Sequence, residues 1–245
     1  MTSPVQPRIL VSVATYNERD NLAPLVHEIR LYAPECHILI TDDNSPDGTG
    51  QVADELAAAD PTIHVCHRPG KLGLGTAILS AARYAIDGNF DWFVNMDADL
   101  SHHPRYLPAL FAGMADHDVM IGSRYVPGGG SVNWPLSRRL MSQGVNLLTR
   151  LLMGLPARDT SGGFRCYAVA KLRVTNLNGL LSHGYSFQQE MLYRCRRAGC
   201  RIGETPILFE DRRAGKSKAS LFEAVRSVWV ILRVGFRALF RLDGV

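Results

Sequence analysis

The feature that most constrains this chain is an alternation. In its first half, β-type runs stand at 8–14 ("RILVSVA"), 37–41 ("HILIT"), 62–67 ("TIHVCH"), 91–96 ("DWFVNM") and 118–123 ("DVMIGS"). Between them lie segments with helical apolar spacing at 20–33, 49–59, about 75–87, and from Pro104, a good first residue of a helix. Strands that are apolar on both faces and joined through helices build a buried, mostly parallel sheet. The expected fold class is therefore α/β, with helices flanking that sheet.

The polar residues follow the same rhythm. "TYNE" follows the first strand, "DDNSPDG" the second, "RPGKLGLG" the third, "DAD" the fourth and "SRY" the fifth. Ligands of open α/β sheets bind beyond the carboxyl ends of the strands. A solvated edge would also be polar. It would not by itself place acids on loops two and four with glycines and bases on loops three and five.

The fourth loop, "MDADLSHHP", is the most informative. Residues i and i+2 at the end of a strand point to the same side, so Asp97 and Asp99 are expected to converge while Ala98 turns away. Two adjacent carboxylates repel unless a cation sits between them. Oxygen-only ligands with open positions suit Mg²⁺ or Mn²⁺, completed by water and substrate phosphates. A general acid/base pair is the weaker reading, since no cleft partner is evident. His102 and His103 precede Pro104 and read as loop or helix-entry residues rather than ligands. "GKLGLGTA" (70–77) fits neither common phosphate-loop pattern, yet can bring backbone N–H groups near a phosphate at a helix start; a plain helix-entry turn fits equally. Asp42 ends a strand, where a carboxylate commonly meets a ribose or base donor; an Asx-rich turn is the alternative. Arg124 and the cluster Arg212, Arg213, Lys216 and Lys218 suggest a second anion beside a metal-bridged nucleotide diphosphate, although a charge run is more often a solvated face.

The second half is less regular. A glycine-rich loop spans 126–135, a helix pattern 136–153, a turn-rich segment 159–167 ("DTSGGFRCY"), a helix 186–199 and a strand 201–210. The "VPGGG" loop reads equally as a lid or a surface loop. With 245 residues and a net charge of +4, one sizeable core is expected and an anionic partner is allowed. No nucleic-acid motif is present, so nucleic acid is not an expected partner. Five cysteines without Cys-x-x-Cys spacing read as reduced and mostly buried. "MTSPVQPR" has no apolar core and does not read as a signal peptide.

These stretches together resemble the dolichol-phosphate (polyprenol-phosphate) mannose synthases, family-2 glycosyltransferases with the A-type nucleotide-sugar fold. The resemblance rests on "TYNERDNL", "DDNSPDGTG", "GKLGLGTA", "MDADLSHHP", "GSRYVPGG", "GYSFQQEMLYR" and "PILFEDRRAGKSK", in order from residue 8 to about 220. It implies inverting transfer of mannose from GDP-mannose to a polyprenyl phosphate, with Mg²⁺ or Mn²⁺ as cofactor. Tyr16, Glu18, Ile40 and Asp42 then resemble guanosine-diphosphate-binding residues. Asp97 and Asp99 resemble the metal ligands, and Ala98 lines the same pocket. Arg124, Arg212 and Lys218 resemble the residues that hold diphosphate or acceptor phosphate. Ala14 departs from the family's proline, and Ser101 stands where some relatives carry a metal-binding glutamine. A sister transferase using UDP-glucose, a sugar nucleotidyltransferase and a non-catalytic subunit are the rival readings. The last is disfavoured because both aspartates are intact.

The expected division is a tail at 1–7, a catalytic domain at 8–218 and an amphipathic helix at 219–245. The longest uncharged run in 219–242 is "SVWVIL" (227–232), far short of the roughly 20 residues of a membrane span. At 100° per residue, Arg226, Arg233, Arg237 and Arg241 share one side, and Leu221, Val225, Val228, Trp229, Leu232, Phe236 and Leu239 the other. Such a helix lies in a membrane surface near anionic head groups or packs on its own domain. A lipid-phosphate acceptor favours the first. The expected location is thus peripheral, at the cytoplasmic face of a membrane, with a small membrane-anchoring subunit as a candidate partner. Arg138 and Arg139 are further candidates for the acceptor phosphate.

Overall fold

In the computed structural model of the protein, the alternation becomes an ordered succession of elements. They are β1 (Ile9–Thr15), α1 (Arg19–Tyr32), β2 (His37–Asp42), α2 (Thr49–Ala59), β3 (Ile63–His67), α3 (Leu74–Asp87), β4 (Trp92–Asp97), α4 (Leu107–Gly113) and β5 (Val119–Ser123). Then follow β6 (Gly130–Val132), α5 (Leu136–Met153), β7 (Arg165–Ala168), α6 (Val169–Val174), α7 (Phe187–Arg197), β8 (Ile202–Pro206) and β9 (Leu208–Glu210). The structure describes residues 6–178, 180, 182, 184, 186–210 and 231–236, the last stretch helical. Arg212, Lys218 and most of the expected C-terminal helix lie outside these residues.

The main sheet runs in the order β3-β2-β1-β4-β7-β5-β8. Every pairing is parallel except those of β7, which enters antiparallel between β4 and β5. Period-2 alternation sorts the strands' side chains. Leu10, Leu39 and Phe93 face a core shared with α3 and α7. Val11, Val13, Ile38, Ile40, Val94 and Met96 face the opposite core, shared with α1, α2 and α4. Covering both faces in this way explains the continuous apolar runs.

Several details depart from the sequence expectation. Pro104 opens a single 3-10 turn, Pro104–Tyr106, and the α-helix proper starts at Leu107. The loop 126–135 contains β6, the segment 159–167 leads into β7, and the run 201–210 divides into β8 and β9. β6 and β9 pair as a separate two-stranded parallel ribbon. All five cysteines are free, and all but Cys66 are buried.

Helix α5 is oriented unusually. It buries Asn146 and Thr149 and exposes Leu136, Leu140, Met141, Leu147 and Leu151, each by more than half. Met153 is buried as well, and the Asn146 side chain fixes the inward side. Its Oδ1 accepts from the backbone N–H and hydroxyl of Thr160 at 2.7 and 2.8 Å, tying α5 to the "DTSGG" segment. In 231–236, Ile231 and Val234 are buried, while Leu232 and Phe236 are exposed. Among the described residues, no helix is long and apolar enough to cross a membrane.

Candidate active site

The strand order changes direction at β1, since β2 and β4 flank it on opposite sides. Thr15 is in register with Asp42 and Ala14 with Asp97. Two carboxylates therefore bracket the carboxyl end of β1, where a doubly wound sheet opens its crevice. Asp42 is buried, and its oxygens accept from the hydroxyls of Thr15 at 3.0 Å and Ser45 at 2.5 Å, and from the Ser45 N–H at 3.0 Å. It thus anchors the second loop. Ile40 is fully enclosed in the core, two residues before the end of β2, and does not reach the crevice surface. Tyr16 is partly exposed and has the Lys71 ammonium 4.7 Å above its ring, which brings "GKLGLG" to the same place. Glu18 accepts from the Asn21 amide at 2.8 Å, and its N–H donates to the Thr49 hydroxyl.

The aspartate pair is built differently from the simple i, i+2 expectation. β4 ends at Asp97, and Asp99 stands on the turn beyond it. Ala98 is buried, and Leu100 adopts φ +61°, a left-handed conformation uncommon for a branched side chain. The turn is closed by Asp99 Oδ1, which accepts from the Ser101 hydroxyl at 2.5 Å and the Ser101 N–H at 3.1 Å. Asp99 is buried, whereas 34% of the Asp97 side chain is exposed. His102 is buried and stacks on Phe164. Its Nδ1 lies 3.2 Å from the Asp97 backbone nitrogen and 3.5 Å from Asp97 Oδ2. His103 caps the 3-10 turn by accepting from the Arg105 N–H. Both histidines are thus turn-building residues. Among the described residues, no group of three acidic, histidine or cysteine side chains forms a metal cluster.

Arg124, at the end of β5, has a counter-ion that the sequence did not announce. Its Nε and Nη2 donate to Asp159 at 2.7 and 2.8 Å, and Nη2 also reaches the Ser161 hydroxyl at 2.8 Å. Tyr125, Trp134 and Phe209 surround the guanidinium with their rings. Burial opposes both charges. Even so, Asp159 raises the Arg124 pKa, with a smaller contribution from Asp97, and Arg124 with the Gly162 N–H lowers that of Asp159. The segment "DTSGGFR" thereby becomes part of the same edge as "DAD" and "SRY".

A family model described as glycosyl transferase family 2 matches residues 10–174, which takes in this edge from β1 through the Asp159 segment. The chain belongs to glycosyl transferase family 2. It is 44% identical over 213 residues to the undecaprenyl-phosphate mannosyltransferase of Micrococcus luteus, covering 87% of this chain and 88% of that one. It is 41% identical over 238 residues to the polyprenol monophosphomannose synthase of Mycolicibacterium smegmatis, covering 96% and 89%. Its backbone is similar to a mannosyltransferase of Pyrobaculum calidifontis solved with GDP-Man and Mn²⁺ (TM-score 0.63, 17% identity, 98% of this chain, 66% of that). It is also similar to the glucosyl-3-phosphoglycerate synthase of Mycobacterium tuberculosis solved with Mn²⁺, UDP and phosphoglyceric acid (TM-score 0.63, 17% identity, 95% and 78%). The sheet and its helices are therefore those of an A-type glycosyltransferase.

In this glycosyltransferase, several residues contribute that sequence reasoning left without a role. Asp43 and Arg68 form a buried ion pair at 2.8 Å. Arg68 also donates to the Thr76 hydroxyl, which joins the end of β2 to the start of α3. Burial raises the Asp43 pKa even with Arg68 beside it. Arg165 is wholly buried and donates to the carbonyls of Gln188 and Thr160, both at 2.6 Å. Only turn composition marked "DTSGGFR" in the sequence; the pairing of its charges is a tertiary fact.

Proposed function

We propose that the protein transfers mannose from GDP-mannose to a polyprenyl phosphate, with inversion at the anomeric carbon. The observation that carries this reading is identity above 40% over nearly the whole chain with enzymes named for polyprenyl-phosphate mannose synthesis. The geometry is compatible with it. Tyr16, Glu18 and Asp42 stand at the carboxyl ends of β1 and β2, the end assigned here to the nucleotide, with Ile40 enclosed two residues before Asp42. Asp97, Ala98 and Asp99, at the end of β4, are assigned to the donor diphosphate by resemblance. The all-oxygen donor set of Asp97 and Asp99 fits Mg²⁺ or Mn²⁺ and not a soft metal. A cation held there would supply Lewis-acid stabilisation of the leaving diphosphate.

The remaining chemistry asks little of acid–base groups. A phosphate monoester carries about −1.5 to −2 charge at pH 7 and attacks without a general base. Catalysis then consists of aligning two anions and stabilising charge on departure. Asp159 and the aromatic rings fix Arg124 so that its guanidinium is in place before substrate arrives. Arg212 and Lys218 are assigned to the phosphates by resemblance.

The acceptor's phosphate stays at a membrane surface while its chain stays in the bilayer. Helix α5 suits that setting. Its exposed leucine face has Arg138, Arg139 and Arg150 on the same helix and no acidic residue. Exposed Leu232 and Phe236 add apolar surface. This reading places the enzyme peripherally on an anionic membrane, at its cytoplasmic face, with a small anchoring subunit as a further partner.

Labelled GDP-mannose incubated with polyprenyl phosphate and a divalent cation, then partitioned between organic solvent and water, tests the proposal. Label should move to the organic phase. Transfer from UDP-glucose alone, or release of pyrophosphate from a nucleoside triphosphate, would replace the reading.

A further inference from the structure

Gln188, in the first turn of α7, is about 95% buried, yet its Nε2 has no hydrogen-bond partner. An unpaired buried amide is costly and calls for an explanation. Its position offers one. A Cβ built on Gly163 would lie 3.5 Å from Gln188 Nε2, 3.5 Å from Asp97 Oδ1 and 3.5 Å from His102 Cε1. The missing side chain of Gly163 thus leaves a small gap with a neutral donor on one side and a carboxylate oxygen on the other. The surroundings are fixed. The Gly163 carbonyl accepts from the Asn95 amide at 2.7 Å, and the Gln188 carbonyl accepts from Arg165. A Cβ on Gly75 would fall 2.8 Å from the Phe187 ring, so glycine there lets the start of α7 pack against the "GKLGLG" helix.

Resting on the proposed function, we infer that this gap receives a hydroxyl of the donor's hexose, with Gln188 donating to it and Asp97 Oδ1 accepting from it. A hydroxyl is the group that fits both walls, because it donates and accepts at once. An ionised phosphate oxygen only accepts, so it would satisfy Gln188 and leave the Asp97 Oδ1 wall without a donor. Gln188 is then a specificity residue for the sugar, with no part in holding the nucleotide. Neither the guanine nor the diphosphate end of the donor is required to touch it.

Two substitutions test this against different backgrounds. Gln188→Leu removes the donor. Gly163→Ala fills the gap at ordinary contact distances and therefore should not disturb folding, which circular dichroism and urea unfolding would verify. Binding of GDP and GDP-mannose would be measured calorimetrically with Mn²⁺, together with GDP-mannose analogues each lacking one hydroxyl. Wild type should bind one deoxy analogue about tenfold more weakly than GDP-mannose, the scale of one lost hydrogen bond. Gln188→Leu should lose about the same factor for GDP-mannose, cease to discriminate that analogue, and bind GDP unchanged. Gly163→Ala should likewise weaken GDP-mannose and spare GDP. Unaltered GDP-mannose affinity in both folded variants, or equal loss of GDP and GDP-mannose, would overturn the inference. If wild type binds no GDP-mannose, the donor assignment fails instead, and the same comparison with UDP-glucose against UDP decides the role of Gln188.

Discussion

Arg124 and Asp159 meet through two parallel hydrogen bonds of 2.7 and 2.8 Å, with the Asp159 side chain wholly enclosed and that of Arg124 only 9% exposed. Each charge is tolerable there because the other is present. Asp159→Ala should therefore destabilise the protein by about 3–5 kcal/mol, since it strands a buried guanidinium. Arg124→Met combined with Asp159→Asn should recover much of that loss, because the amide oxygen still accepts from the backbone N–H of Arg124 or Gly162. Urea unfolding of the two variants and wild type gives the comparison. A loss below about 1 kcal/mol for Asp159→Ala is the range of an exposed pair and would contradict the burial described here.

The same pair predicts a pH dependence. Asp159 binds its proton less readily folded than unfolded. Its stabilising contribution is complete above the unfolded carboxylate value of about 3.9 and is lost as pH falls through the lower folded value. Asp159→Asn should make stability less steeply dependent on pH below about 4, as read from urea midpoints across pH 2.5–6. A slope identical to wild type would remove Asp159 from the acid response.

Asp97→Asn and Asp99→Asn should each cut mannose transfer by about 100-fold or more, the scale of losing a charge-stabilising group. Their folding should persist, because asparagine keeps an acceptor for the Ser101 N–H and hydroxyl at Asp99. Transfer should also vanish in chelator and return with Mg²⁺ or Mn²⁺. Full activity in chelator would eliminate the metal.

For Arg212 and Lys218, alanine substitution separates acceptor from donor duties. A lower turnover with unchanged GDP affinity is expected if each contacts the acceptor phosphate. A change confined to GDP affinity would reassign the residue to the donor.

The leucine face of α5 yields a test that leaves the crevice untouched. Leu140→Glu and Leu147→Glu alter exposed side chains and should fold normally. Together they should weaken sedimentation with anionic vesicles by about tenfold or more, given the apolar area removed. Leu232→Glu, also at an exposed side chain, should reduce vesicle binding as well, while GDP binding remains. Vesicle binding that survives both changes would place the membrane contact elsewhere.

Much of this architecture was legible because parallel strands and amphipathic helices leave strong periodic signals. Helices at 49–59 and 136–153 fall where the spacing put them. β7 was not legible: it is four residues long, begins with a buried arginine, and exists because β4 and β5 leave room between them. The two aspartates were visible as a pair, but strand periodicity gave the wrong local reason. A turn closed by Ser101, with Leu100 left-handed, places Asp99. Periodicity also showed that α5 is amphipathic without showing which side faces inward. That choice depends on Asn146 finding Thr160, a partner known only once the chain has folded. Asp159 and Gln188 belong to the same class, since their importance lies in what they meet.

The β6–β9 ribbon has a mechanical consequence. Val132 is paired with Glu210, and the N–H of Gly130 donates to the carbonyl of Ile207. The loop that carries Trp134 over Arg124 is thereby stitched to the strand from which the basic stretch at 211–218 departs. Each strand of the ribbon is held in register by the backbone of the other. The ring that covers Arg124 and the root of the basic stretch therefore share one support, so a substitution that loosens the β6–β9 pairing would disturb both at once.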